Sequence, residues 1–185
     1  MKKINILFAT VLAAFTLQVS AGEFMEATYT PSVKNKTTNQ ITGDALGITV
    51  GTSKGPFAVD GKFNATRARG TGVLGNTLQA RGTFEVPLMQ YGSVFARGGL
   101  GRSWQADYSF YTYAGGVKVN LPNDFKWLFT AERNNAMKAG NPKFTTYETG
   151  FSYDVTKKDA VALMYERNLG DVNTGALKVG YSRAF

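Results

Sequence analysis

The chain has 185 residues, 43% of them hydrophobic, with a formal charge of +8. That length suits a single domain. It contains no Cys and no His, which excludes a disulfide scaffold, ordinary zinc or copper centres, and hydrolases or proteases whose base is a histidine; only carboxylate sites for hard cations stay open.

The N-terminus reads as an export signal. Met1-Lys2-Lys3 is followed by an apolar run over 4–17 and then by Gln18-Val19-Ser20-Ala21. A basic start, a short apolar run and small residues before a cleavage point are the parts of a secretory signal peptide. The run is shorter than the roughly 20 residues that a spanning helix needs. Cleavage is expected after Ala21, which leaves residues 22–185 as one mature domain. Without Lys2 and Lys3 that domain carries 19 basic residues against 13 acidic. No Cys follows the apolar run, so a lipoprotein anchor is excluded.

From Gly22 onward the chain repeats one pattern. Short segments alternate apolar and polar residues, the period-2 signature of strands with one apolar face. The first, 24–30, places Met25, Ala27 and Tyr29 on its apolar face, and Pro31 is expected to end it. The second, 40–53, sets Leu46, Ile48 and Val50 against Gly47, Thr49 and Gly51. Lys54-Gly55-Pro56 is a tight turn. The third, 57–69, sets Phe57, Val59 and Phe63 against Asp60, Lys62 and Asn64. A glycine-rich loop is expected over 70–76.

The fourth segment, 77–86, sets Leu78, Phe84 and Val86 against Arg81, Thr83 and Glu85; the fifth, 91–104, sets Val94, Ala96 and Leu100 against Ser93 and Arg97. The sixth, 110–121, and the seventh, 125–133, continue with Lys118, and with Lys126 and Glu132, on their polar faces. A longer polar loop is expected over 134–143. The eighth, 144–155, presents Glu148, Ser152 and Asp154 on its polar face, and the ninth, 160–168, presents Glu166. The tenth ends the chain as Gly175-Ala-Leu-Lys-Val-Gly-Tyr-Ser-Arg-Ala-Phe185, with Leu177, Val179, Tyr181 and Phe185 on one face. Gly98-Gly99-Leu100-Gly101 is no phosphate loop, because it lies within a strand and no helix follows.

This ending resembles the last strand of bacterial outer-membrane β-barrel proteins, which carries apolar residues at alternate positions and closes on a terminal Phe. Arg183 departs from the pattern, standing where an aromatic is commoner. The mature chain as a whole resembles the small single-domain outer-membrane barrels of Gram-negative bacteria, of the OmpA and OmpX type in the broad sense. The resemblance implies an all-β, closed, antiparallel, up-and-down transmembrane β-barrel located in the outer membrane. Ten strands are counted here; eight, the number in those best-known members, is the alternative. It also implies that Tyr181 and Phe185 form a signal read by the barrel-assembly machinery. A soluble β-sandwich or lipocalin-like barrel is the competing reading, with its apolar faces turned inward. The segment lengths, an even strand count and the alternation of connections, short after segments two, four, six and eight, longer after one, seven and nine and intermediate after three, favour the membrane barrel.

If the apolar face meets lipid, the lumen receives Glu26, Asp60, Lys62, Arg81, Glu85, Arg97, Lys118, Lys126, Glu132, Glu148, Asp154, Glu166 and Lys178. Charges enclosed in a narrow barrel are expected to pair, since an unpaired buried ion costs several kcal/mol. The expected function is a structural, envelope-stabilising or loop-binding component with a charged, largely plugged lumen. The alternative is a small porin-like channel for ions or small solutes. No enzyme activity and no cofactor are expected. Glu132 and Glu148, on neighbouring strands, are the one carboxylate pair that acid–base work could use.

Counting in twos places Arg67, Arg69, Arg102, Arg133 and Arg167 outward at the external strand ends, as a candidate rim for lipopolysaccharide phosphates. The expected partners are outer-membrane lipids, lipopolysaccharide and the assembly machinery, with the protein a monomer. The positive charge is spread among strand ends without a binding motif, so nucleic acid is not an expected partner.

Overall fold

The computed structural model describes residues 22–72 and 74–185. The expected signal peptide and its cleavage point lie outside the described residues. Ten strands form one sheet that closes on itself: β1 (Glu23–Asn35), β2 (Ile41–Lys54), β3 (Phe57–Ala68), β4 (Leu74–Pro87), β5 (Gly92–Ser103), β6 (Tyr108–Asn120), β7 (Phe125–Ala136), β8 (Lys143–Asp154), β9 (Asp159–Gly170) and β10 (Thr174–Ala184). Every neighbouring pair in sequence is antiparallel, and β1 pairs with β10. The count is ten, and the eight-strand alternative is excluded.

The alternation written in the sequence fixes which side faces in. Thr49, Lys62, Gln79 and Gly101 lie in register across β2–β5, and their neighbours two residues away share the inner face. The outer face carries Val50, Val59, Leu100, Phe151, Leu163, Leu177 and Val179, each at least 46% exposed. Thr49, Gln79, Arg81, Thr112 and Lys178 are buried on the inside. A soluble barrel has the opposite distribution. An exposed apolar wall around a polar interior is stable where the surrounding solvent is hydrocarbon, and closure leaves no strand edge unsatisfied there. Strands of about 12 residues, rising about 3.3 Å each and tilted by about 40°, span about 30 Å, enough for a bilayer core.

Several strand ends differ from the sequence reading. β1 continues past Pro31 to Asn35, absorbing the proline at a register shift between Tyr29 and Ser32. Proline lacks the N–H that a ladder needs, and a bulge is where that is tolerated. β4 begins at Leu74, β7 reaches Ala136 and β9 reaches Gly170, so the loops expected over 70–76 and 134–143 are shorter than they read. The connections opposite the termini span 36–40, 69–73, 104–107, 137–142 and 171–173. Those beside the termini span 55–56, 88–91, 121–124 and 155–158. The contrast between the two ends is therefore slight. The two mouths are called here the terminal mouth, beside Gly22 and Phe185, and the far mouth.

Candidate functional site

The inner wall is built from side chains that lie flat. Phe24, Phe95 and Phe110 point inward, and each faces a glycine on the next strand: Phe24 opposite Gly51, Phe95 opposite Gly116 and Phe110 opposite Gly101. Their rings rest where a Cβ on that glycine would be, and the Arg81 and Gln79 side chains rest on Gly99 in the same way. A missing Cβ opens a notch, and the ring that covers it restores the lost packing. The sequence reading placed none of these phenylalanines inside. The signal was available as an aromatic at an inward position matched by a glycine in register.

The expected lumen charges all fall on the inner face. Arg81 donates through Nε to Asp60 at 2.6 Å, and the two side chains are only 6% and 4% exposed. Lys178 bridges Glu148 and Glu166, the latter at 3.2 Å. Nearer the terminal mouth, Lys118 donates to Glu85 at 2.7 Å and Lys126 to Asp154 at 2.5 Å. The pairs join neighbouring strands or reach over one strand, as β4 to β6 and β8 to β10, so they follow the wall.

Among the described residues, Lys62, Arg97, Glu26 and Glu132 have no ion-pair partner within 4.0 Å. This corrects the expectation that every lumen charge pairs. Arg97 instead donates to the Thr83 hydroxyl at 3.2 Å and stands 5.1 Å from the Phe95 ring. Lys62 and Arg97 are enclosed by the wall, and the attraction of Glu132 and Glu148 for Lys62, and of Glu132, Asp60 and Glu26 for Arg97, offsets part of the cost of leaving them without a direct partner.

At mid-height, beyond the Lys118–Glu85 and Lys126–Asp154 pairs of the terminal mouth, the charges are sorted by side. Lys62, Arg81 and Arg97 stand on the adjacent strands β3, β4 and β5. Glu132, Glu148 and Glu166 stand on β7, β8 and β9, across the ring. Asp60 offsets one charge on the basic side, and Lys178 offsets one on the acidic side. Lys62 is in electrostatic contact with Glu148 and Glu132, and Arg97 with Glu132, so the two walls share a level. Glu132 and Glu148 are set diagonally, since Glu132 is in register with Thr146 and Glu148 with Thr130.

Toward the far mouth the inner face becomes neutral. The Thr146 hydroxyl donates to Asn168 Oδ1 at 2.7 Å, and Asn168 Nδ2 donates to Thr174 at 2.8 Å. Asn134 Nδ2 reaches Thr146 at 3.5 Å. The sequence reading missed this amide and hydroxyl lining. Asn134 and Asn168 each lie two residues beyond a lumen glutamate, which is the signal that could have found them.

The five rim arginines stand at the far end of the barrel. Arg67 is held by Asp44 at 2.5 Å and Arg102 by Asp107 at 2.5 Å. Arg133 donates to Asn135 at 3.3 Å and Thr145 at 3.1 Å, and Arg167 to the Thr174 carbonyl at 3.2 Å. Arg69 is exposed just beyond β3. At the terminal mouth, the Phe185 amide donates to the Glu23 carbonyl at 3.0 Å and the Tyr181 hydroxyl to Asp159 at 2.6 Å. Arg183, the departure from the terminal pattern, lies 3.6 Å from Asp159 and 5.8 Å from the Phe185 ring.

No family model matches the chain, and no curated protein matches it in sequence. Solved structures do match in fold. The translocator domain of the autotransporter NalP from Neisseria meningitidis is similar at a TM-score of 0.57 and 10% identity, over 100% of this chain and 95% of that one. The KdgM porin is similar at 0.54 and 10% identity, over 88% of this chain and 99% of that one; it has also been solved in complex with disordered oligogalacturonate. The structural neighbours are thus outer-membrane β-barrels, and this chain is a small, closed, ten-strand barrel without a specific likeness to the OmpA or OmpX type.

Proposed function

We propose that this protein is an outer-membrane barrel, inserted with its termini toward the periplasm, whose lumen is a narrow charged path for ions or small polar solutes. The observation that carries this reading is the flat inner wall. Phenylalanines and ion pairs lie along it over glycine notches, and Lys62, Arg97, Glu26 and Glu132 have no ion-pair partner within 4.0 Å among the described residues. Among the described residues no connection between strands exceeds six residues, too short for a loop to fold in as a plug. An even strand number with both termini at one mouth fits periplasmic termini. Basic and acidic walls set across a narrow bore favour small solutes that carry charge of both signs. The protein acts as a conduit and not as an enzyme on this reading, with its lumen carboxylates serving as lining.

Planar-bilayer recording of the refolded protein tests it. Discrete conductance steps are expected, with a Lys62→Glu variant shifted toward cations. A folded barrel that inserts and passes no current would sink the channel and favour a stiffened, passive wall component.

A further inference from the structure

The rim arginines differ in what they hold, and the difference points to one sector. Arg67 and Arg102 are already neutralised by Asp44 and Asp107. Arg167 has no carboxylate within 4.0 Å among the described residues, and neither do Lys34 and Lys36. These three cations converge on the outer face around Gly175. Gly175 is in register with Lys34 on β1 and with Arg167 on β9. Lys36 lies over the notch of that glycine, beside the Tyr165 hydroxyl, with its ammonium 5.8 Å from the Tyr165 ring. Asp171, the acid of the adjoining loop, accepts the Lys143 amide at 2.8 Å.

Like charges gathered on neighbouring strands repel one another. Arg69 and Arg133 also lack a carboxylate partner among the described residues, but only here do three such cations stand together around one residue, an arrangement that suits an anion. The geometry suits a phosphate: a guanidinium offers parallel donors, two ammonium groups offer point charge, and Gly175 lets the Lys36 stem lie against the wall beside the Tyr165 hydroxyl, which holds its ammonium there. The patch faces outward at the end opposite the termini, just where an apolar wall gives way to headgroups.

We infer that Lys34, Lys36, Arg167 and Tyr165 around Gly175 form a binding site for the phosphate of an outer-leaflet phosphorylated glycolipid. The inference rests on the membrane orientation proposed above. The phosphate seats between Lys36 and Arg167, the Tyr165 hydroxyl donates a further hydrogen bond, and the acyl chains run down the apolar wall of β9 and β10.

The test is calorimetric titration of the refolded full-length mature barrel in zwitterionic micelles. The probes are phosphorylated lipid A, dephosphorylated lipid A and phosphatidylglycerol. Heat-modifiable gel mobility verifies closure in every sample. Phosphorylated lipid A should bind the wild type, and the Lys34→Gln, Lys36→Gln, Arg167→Gln triple variant should bind it at least about tenfold more weakly. The single Lys36→Gln variant, at an exposed loop position, gives a smaller loss in the same direction should the triple variant fail to close. Arg102→Gln should keep wild-type affinity. Equal binding of lipid A by wild type and a folded variant overturns the site. So does an equal loss in Arg102→Gln, or equal binding of phosphatidylglycerol, either of which would mean diffuse attraction to anions. A wild type that never becomes heat-modifiable in lipid refutes the membrane reading itself, a different outcome from these.

Discussion

Arg81 and Asp60 illustrate what a single buried pair does for the wall. They face each other in register on β4 and β3, nearly closed off from solvent. Removing one partner strands the other charge, which costs about 3–5 kcal/mol. Arg81→Ala should therefore lower the urea midpoint strongly, while Lys157→Ala in an exposed turn leaves it unchanged. The Arg81→Ala, Asp60→Ala double variant should recover part of the loss. A double variant as weak as the sum of its parts would mean that the two residues act separately. The inward position of each charge was legible from alternation alone. Its partner was not, because Lys118 reaches over β5 to Glu85, and Lys178 reaches over β9 to Glu148. Such reach depends on barrel tilt, which no period-2 pattern encodes.

Among elements, β5 and β6 show how strands set the width of the bore. Phe95 lies over Gly116, and Phe110 over Gly101. A Cβ on Gly116 would stand against the Phe129 carbonyl oxygen as well as in the Phe95 ring, so Gly116→Val should lift the ring and also strain the β6–β7 ladder, at the upper end of the about 1–3 kcal/mol of overpacking or beyond it. Single-channel conductance should fall as well. Unchanged conductance in a folded Gly116→Val barrel would mean that Phe95 does not border the path. Strand existence was easy to read here because Val94, Ala96 and Leu100 alternate with Ser93 and Arg97, and the inward Phe95 and Phe110 do not break that period. Strand ends were harder. Pro31, Asn134 and Asn135 carry loop chemistry, yet they sit inside strands, because the mouth of a barrel lets polar residues stay wet while still in the ladder.

For the whole molecule, closure is the property on which every other depends. The C-terminal strand supplies half of the closing seam, and Phe185 ties its end to Glu23. Deletion of Phe185 should reduce outer-membrane assembly sharply and leave export intact. Normal levels of folded, heat-modifiable protein in the outer membrane would show that the terminal aromatic is not an assembly signal. The ring itself was legible in the sequence as ten alternating segments and an aromatic end. The sorting of basic and acidic walls was not, since it appears only when the segments are arranged around a circle.

The bulge in β1 has a consequence for how that circle opens. The register shifts of the barrel all lie on β1, against β10 at Tyr29 and Ser32 and against β2 near Val33. Pro31 removes one donor at the same place. The other eight ladders run without a slip. A ring of equal links has no preferred point of rupture, but this one has a weak link built into its first-made strand. Amide hydrogen exchange should therefore be faster around Thr30 to Val33 than at the centre of β5, and equal protection at the two places would show that the bulge is no weak point.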